Sequence, residues 1–368
     1  MLKTIDEWPP ADKERVFRHL YINGYRSERY GIFYVATPKV ACTSIKWWFA
    51  ELEGHVPALL MNKTSSETDP ELTIHDTFHK VAPNVAGLTS DVLAAVITSD
   101  AYFRFAVVRN PYKRVFSAWQ SKLLLREPLQ VDPYVALDFF NRPIGSMEEM
   151  ALAFEGFLGH LAEREAPDYW DVHWTPQVAL LRPDLIEYSS LVQIEHPKAL
   201  STSLAEWMGS DFSDPLAARS TNESLIPFLP ELITPRSAEL IRTLYADDFS
   251  RFGYHERVPE GEEAFTQDEF KVAVKAISTI RARHQRMGEM IREITNLNQT
   301  LAECTNLEAA LVERNQEIED LTRGVAAGKR QVAELQARLD EILESNSWKL
   351  TKPLRHLGRV LHRPRAAS

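Results

Sequence analysis

Two segments about seventy residues apart constrain this chain more than anything else in it. Gly31 to Phe49 (GIFYVATPKVACTSIKWWF) and Phe103 to Trp119 (FRFAVVRNPYKRVFSAW) each read as a strand, a short polar loop and a helix. An apolar run rich in β-branched and aromatic residues that halts at such a loop marks one βα unit. Two units of this kind predict an open α/β sheet, in which loops outside the carboxyl ends of strands bind ligands. Both loops are basic and hydroxyl-bearing, and the second adds an arginine. Two anion-binding corners suit a nucleotide that carries phosphates at both ends.

A chain of 368 residues holds one sizeable α/β domain with an appendage, or two ordinary domains. With 44% hydrophobic residues and eight Trp it can build a packed core. The net charge of −10 argues against a general nucleic-acid binder. Cys42 and Cys304 lie far apart, so no disulfide framework is expected and a reducing compartment fits. The opening MLKTIDEWPPADKERV lacks the apolar core of a signal peptide. No run reaches the roughly 18 apolar residues of a spanning helix. The expectation is a cytoplasmic protein.

Composition changes near residue 258 and divides the chain into 1–258, a helical region over 262–345 and a basic tail over 346–368. From Glu262 to Glu344 there is no proline, which reads as helix. Its distal half keeps a three-four spacing through Cys304, Leu307, Leu311, Arg314, Ile318, Leu321, Val325, Gly328, Val332, Leu335, Leu339 and Ile342. Charged and amide residues flank that seam, as a coiled coil requires, so self-association is expected. Arg314 and Gly328 weaken the seam, and Leu301, Cys304 and Leu307 form a stammer upstream. The alternative is a single helix folded back on the first domain. The tail interleaves Trp348, Leu350, Leu354, Leu357, Val360 and Leu361 with six Lys/Arg and no acid. Such a segment can lie on an anionic membrane surface, peripheral at its inner face, or stay solvated.

The first loop, Pro38, Lys39, Val40, Ala41, Cys42, Thr43 and Ser44, leads into a helix expected near Ser44. Successive backbone N–H groups and a helix N-terminus make an anion cradle, with Lys39 and two hydroxyls to add. A triphosphate P-loop reads G-x-x-x-x-G-K-[ST]; this loop has neither glycine, and its lysine comes early. Pro38-Lys39 followed by small residues and Thr-Ser instead resembles the 5′-phosphosulfate loop of sulfotransferases that use 3′-phosphoadenosine-5′-phosphosulfate (PAPS). The second segment is similar to that family's 3′-phosphate motif, with Arg109 after a strand and Ser117 eight residues on. An arginine there offers a permanently charged bidentate fork.

Further stretches follow in the order found in carbohydrate sulfotransferases related to the chondroitin and dermatan enzymes. Asp171 to Gln177 (DVHWTPQ) is similar to their H-W-x-P-Q, Tyr188 to Glu195 to a Y-D-x-x-G-x-x-E segment in which Val192 here replaces the Gly, and Asp247 to Tyr254 to a closing D-F-x-x-F-G-Y. Arg219 to Asn222 resembles a basic, hydroxyl-bearing stretch before the last helices, so Arg219 joins the nucleotide residues. The resemblance covers roughly residues 25 to 255. It implies an α/β fold with a P-loop-like parallel sheet flanked by helices, followed here by the C-terminal helical coiled coil. It also implies PAPS as donor, its 3′,5′-bisphosphate PAP as product, and a carbohydrate hydroxyl as acceptor.

Sulfuryl transfer needs in-line positioning and charge stabilisation, a task for Lys39 and the loop N–H groups, and no metal. The acceptor hydroxyl needs a general base. The resemblance favours His75, which falls between the two nucleotide motifs, where related polysaccharide sulfotransferases place their base; His173, in the H-W-x-P-Q stretch, competes. Glu195 either positions the acceptor or anchors a loop. Acceptor-binding loops are expected at Asn62 to Asp69 and Arg126 to Glu148. The rival readings are a P-loop-like ATP-dependent kinase and a non-catalytic coiled-coil scaffold of a glycan-assembly complex.

Overall fold

The computed structural model describes residues 4–61, 70–128, 130–163, 171–216, 224–261 and 264–361. Arg219, and with it Ser220 to Asn222 and the Asn62 to Asp69 loop, lies outside the described residues. The described chain forms two units, Met1–Ile291 and Arg292–Ser368.

In the first unit, β1 (Gly24–Ser27), β2 (Ile32–Val35), β3 (Phe103–Val108) and β4 (Ser190–Gln193) make one sheet in that order. The pairs β2–β3 and β3–β4 are parallel, as the βα units predict, while β1 joins as an antiparallel edge strand. The β1–β2 hairpin closes at Gly31, whose φ of +60° and lack of a Cβ are both needed: a Cβ would stand 2.6 Å from the Ala101 carbonyl oxygen. The outer edge of β1 is in turn met by Val85 and Ala86, so no bare edge is left there.

Alternation along the strands assigns the two faces. Tyr34, Phe105 and Val107 face one layer, which α2 (Cys42–Leu52), α3 (Val56–Met61), α4 (Ile74–Val81) and α9 (Pro197–Met208) cover. Phe33, Val35, Ala106 and Val108 face the other, under α1 (Pro10–Asn23), α5 (Ser90–Thr98), α8 (Gln177–Leu181) and Phe252 of α11 (Ala246–Phe252). A third cluster joins α6 (Pro111–Trp119), α7 (Met147–Ala162) and α10 (Pro235–Leu244) to the start of α12 (Gln267–Glu344).

The helix α12 begins as part of this core. Phe270, Ala273 and Ile277 are buried in it, and Arg281 donates to the Leu124 carbonyl at 2.6 Å. The compact unit therefore extends through the helix to Ile291. From Arg292 to Glu344 every residue is exposed, the apolar seam included. Short helices α13 (Asn346–Leu350) and α14 (Lys352–Leu361) follow. No helix among the described residues is long and apolar enough to cross a membrane.

Candidate active site

Because β2 and β3 are parallel neighbours, the loop after Val35 and the turn after Val108 emerge side by side at their carboxyl ends. In the first loop Lys39 and Ala41 are left-handed, at φ +70° and +49°. For residues with a Cβ this costs on the order of 1–2 kcal/mol each and persists only where neighbours hold it. The buried Arg114 supplies that hold, with Nε donating to the Pro38 carbonyl at 3.1 Å. Arg109 adds a second tie from Nη1 to the Lys39 carbonyl at 3.2 Å.

Helix α2 starts at Cys42, two residues before the position its sequence suggests, so Cys42, Thr43 and Ser44 are its first turn. Val40 is fully buried and packs in the core; only its backbone belongs to the cradle. Lys39 Nζ donates to Ser121 Oγ at 2.9 Å. Burial, then the charge of Lys122, pushes the Lys39 ammonium down to about 8. Lys122 itself pairs with Glu127 at 2.7 Å.

The second corner is built by segments remote in sequence. Asn110 caps α6 through a 3.0 Å bond from the Tyr112 N–H, and Pro111 fixes the first helical φ. The Gln177 side chain clamps Arg109, accepting from its N–H and donating to its carbonyl, both at 2.9 Å. Gln177 is held by Asp248, which accepts from the N–H groups of Gln177 and Val178 at 2.8 and 2.7 Å. Glu195 accepts from the Asn110 N–H at 3.0 Å and from the Tyr254 hydroxyl at 2.9 Å. Its two oxygens serve as a loop anchor. Ser117 lies on α6, two turns beyond Arg109, almost buried.

Both histidines stand in this locus, and the charges of Lys39 and Lys122 depress each of them. Lys46 Nζ lies 2.8 Å from His75 Nδ1, and Thr43 Oγ1 lies 3.0 Å from His75 Nε2. Burial and then Lys46 hold the His75 ring well below its ordinary value. His173 sits in a turn whose Asp171 carboxylate bonds both the His173 N–H, at 2.9 Å, and ring Nδ1. Trp174, next along, is core: edge-on to Phe157 at 5.4 Å, with its carbonyl accepting from Tyr245 at 2.7 Å.

The profile of the Sulfotransferase family matches residues 24–255, more than half of the chain. The chain belongs to the sulfotransferase family. Carbohydrate sulfotransferase 10 of Danio rerio is 22% identical over 245 residues, 62% of this chain and 65% of its own length. Carbohydrate sulfotransferase 14 of Mus musculus is 26% identical over 260 residues, 68% of this chain and 64% of its own. The human protein of that name is 25% identical over the same span. The chain therefore matches just under two thirds of those relatives' length. No solved structure matches it significantly.

Four residues of this site gave little sign of themselves in the sequence, Lys46, Arg114, Ser121 and Lys122, while Asp171 and Asp248 stood in matched stretches with no role assigned. Lys46 had one available signal, a cation among Ile45, Trp47 and Trp48 on an otherwise buried stretch of helix. The assembled locus presents cationic and N–H donor groups at two neighbouring strand ends and sets both imidazoles under the charges of Lys39 and Lys122. Among the described residues no group of His, Cys, Asp and Glu is placed to hold a metal ion.

Proposed function

We propose that this sulfotransferase moves the sulfuryl group of PAPS to a hydroxyl of a carbohydrate: a polysaccharide, a lipopolysaccharide or a lipid-linked glycan. The observation that carries this reading is the joining of two cationic corners at neighbouring strand ends, through Arg109 Nη1 and the Lys39 carbonyl at 3.2 Å. A molecule with a phosphate at each end fits such a pair. Lys39, the loop backbone from Pro38 to Ala41, and Cys42, Thr43 and Ser44 at the start of α2 would hold the 5′ end. Arg109 and Ser117 would hold the 3′-phosphate. When bound, PAPS supplies an activated sulfuryl group whose leaving phosphate gathers negative charge. Lys39, cationic below its titration at about 8, is the residue suited to that charge. The sugar as acceptor is supported by the relatives, which are named carbohydrate sulfotransferases.

Titration calorimetry with PAP and with ATP, with and without magnesium, tests the reading. Wild type is expected to bind PAP without magnesium, and Arg109→Ala to lose about 2–3 kcal/mol, some 30- to 150-fold. A preference for magnesium-ATP would favour a kinase. PAP binding without any PAPS turnover on glycan acceptors would favour a scaffold.

Self-association through the helix beyond Ile291 belongs to the same proposal. Leu311, Ile318, Leu321, Val332 and Leu335 are each more than half exposed there, and water is a poor environment for such a stripe. The amphipathic tail helix α14, with Leu354 and Leu357 exposed beside Arg355, is proposed to rest on an anionic membrane at its cytoplasmic face.

A further inference from the structure

We infer that His173 is the general base of the proposed transfer, with Asp171 its positioning residue, and that His75 is instead a positioning residue for the first turn of α2. The assignment rests on the sulfuryl-transfer reading and deepens it.

The hydrogen bonds of the two rings require opposite tautomers. A lysine ammonium only donates, so Lys46 Nζ at 2.8 Å makes His75 Nδ1 the lone-pair nitrogen. His75 Nε2 then carries the proton and gives it to Thr43 Oγ1 at 3.0 Å. Neither nitrogen of that ring is left to take a proton from a sugar. Protonating Nδ1 would set an imidazolium against the Lys46 cation. What His75 does is fix Lys46 and Thr43, on the helix that ends the anion loop.

His173 is arranged in the reverse sense. A carboxylate only accepts, so Asp171 requires the proton on His173 Nδ1 and leaves the lone pair on Nε2. That is the state of a base in waiting. Asp171 is itself fixed by the His173 N–H at 2.9 Å, while its own carbonyl accepts from Thr175 Oγ1 at 3.0 Å. Arg114 donates to the carbonyls of Thr175 at 2.8 Å and Val172 at 3.1 Å, clamping the turn from both sides. The same guanidinium holds Pro38, so base and anion loop share one rigid support. The charged or titratable groups acting on His173 are Asp171, Lys122 and Lys39, with His75 also coupled to it.

In the step itself the acceptor's hydroxyl proton passes to His173 Nε2. The freed oxygen pair forms the new O–S bond as the old S–O bond breaks, and that bond's electrons leave on the phosphate. Asp171 stabilises the imidazolium until water takes its proton.

Two measurements test the assignment, neither needing a known sugar. Long-range proton–nitrogen spectra at pH 7 are expected to show His173 protonated at Nδ1 and His75 at Nε2. Asp171→Asn should disturb the first alone. Slow hydrolysis of PAPS, with water in place of the sugar, is expected to fall at least about 100-fold in His173→Gln. Asp171→Asn should lower it and displace its pH profile. PAP affinity by calorimetry should stay within about twofold in both. His75→Gln should instead weaken PAP binding while keeping the wild-type pH profile. A His173 ring protonated at Nε2, or His173→Gln hydrolysing PAPS at the wild-type rate, overturns the inference. A wild type that binds no PAP overturns the reading beneath it, whatever the tautomers.

Discussion

Arg114 shows what a single residue can carry. Its three nitrogens each donate to a carbonyl, in buried bonds to Pro38 and Thr175 and a half-buried one to Val172. Arg114→Leu keeps the volume and strands those acceptors, so a loss of about 3 kcal/mol or more is expected. The urea midpoint, followed by tryptophan fluorescence, checks it. Lys39 gives a second residue-scale prediction. Burial and Lys122 hold it at about 8, so without ligand it loses its charge as pH rises through that value. A bound anion restores the charge, and binding should therefore take up a proton above pH 8. PAP affinity should weaken by up to about tenfold between pH 7 and 9, read by calorimetry in buffers of different ionisation enthalpy. Sequence alone found Lys39 because it follows proline in a polar loop. It passed over Arg114, whose partners lie dozens of residues away.

At the scale of elements, the strand–loop–helix units were legible because period-two apolar runs and loop chemistry are local properties. Strain was not. Ala41 occupies a left-handed position that only the tertiary clamp enforces. Ala41→Gly should thus stabilise the fold by about 1 kcal/mol, visible as a raised thermal midpoint, with PAP binding kept. The distal helix is the opposite case, since its seam is written in sequence. In the proposed coil one seam position carries Cys304, Leu311, Ile318, Val325, Val332 and Leu339, and the alternate one Leu307, Arg314, Leu321, Gly328, Leu335 and Ile342. Ile318, Val325 and Val332 at the first, with Leu307, Leu321 and Leu335 at the second, favour a parallel pair. Mild oxidation should accordingly give a covalent dimer through Cys304 that Cys304→Ser abolishes. A dimer by light scattering with no such cross-link would mean antiparallel strands, and a monomer would end the coiled-coil proposal.

For the whole molecule, acid is the expected weakness. Burial is the leading cause that pushes His19 down to about 4 and depresses His75 and His173. The unfolded chain takes up those protons near pH 6.5 while the native state resists them. Stability contributed by the neutral rings is complete above that value and falls as pH drops from 6.5 toward 4. The urea midpoint should follow, and His19→Gln should flatten part of the slope.

By itself the sequence determined the two βα units, the presence of a long C-terminal helix and the family. Each rests on residues close together in the chain, where periodicity, turn chemistry and motif spacing act directly. Tertiary structure alone decided which charges meet. It brought Gln177, Glu195, Asp248 and Tyr254 onto the Arg109 turn and set Lys46 against His75, whereas Asp171 meets His173 within a single turn. A proton's place on an imidazole depends on the partner a few ångströms away, and for His75 that partner sits on another helix.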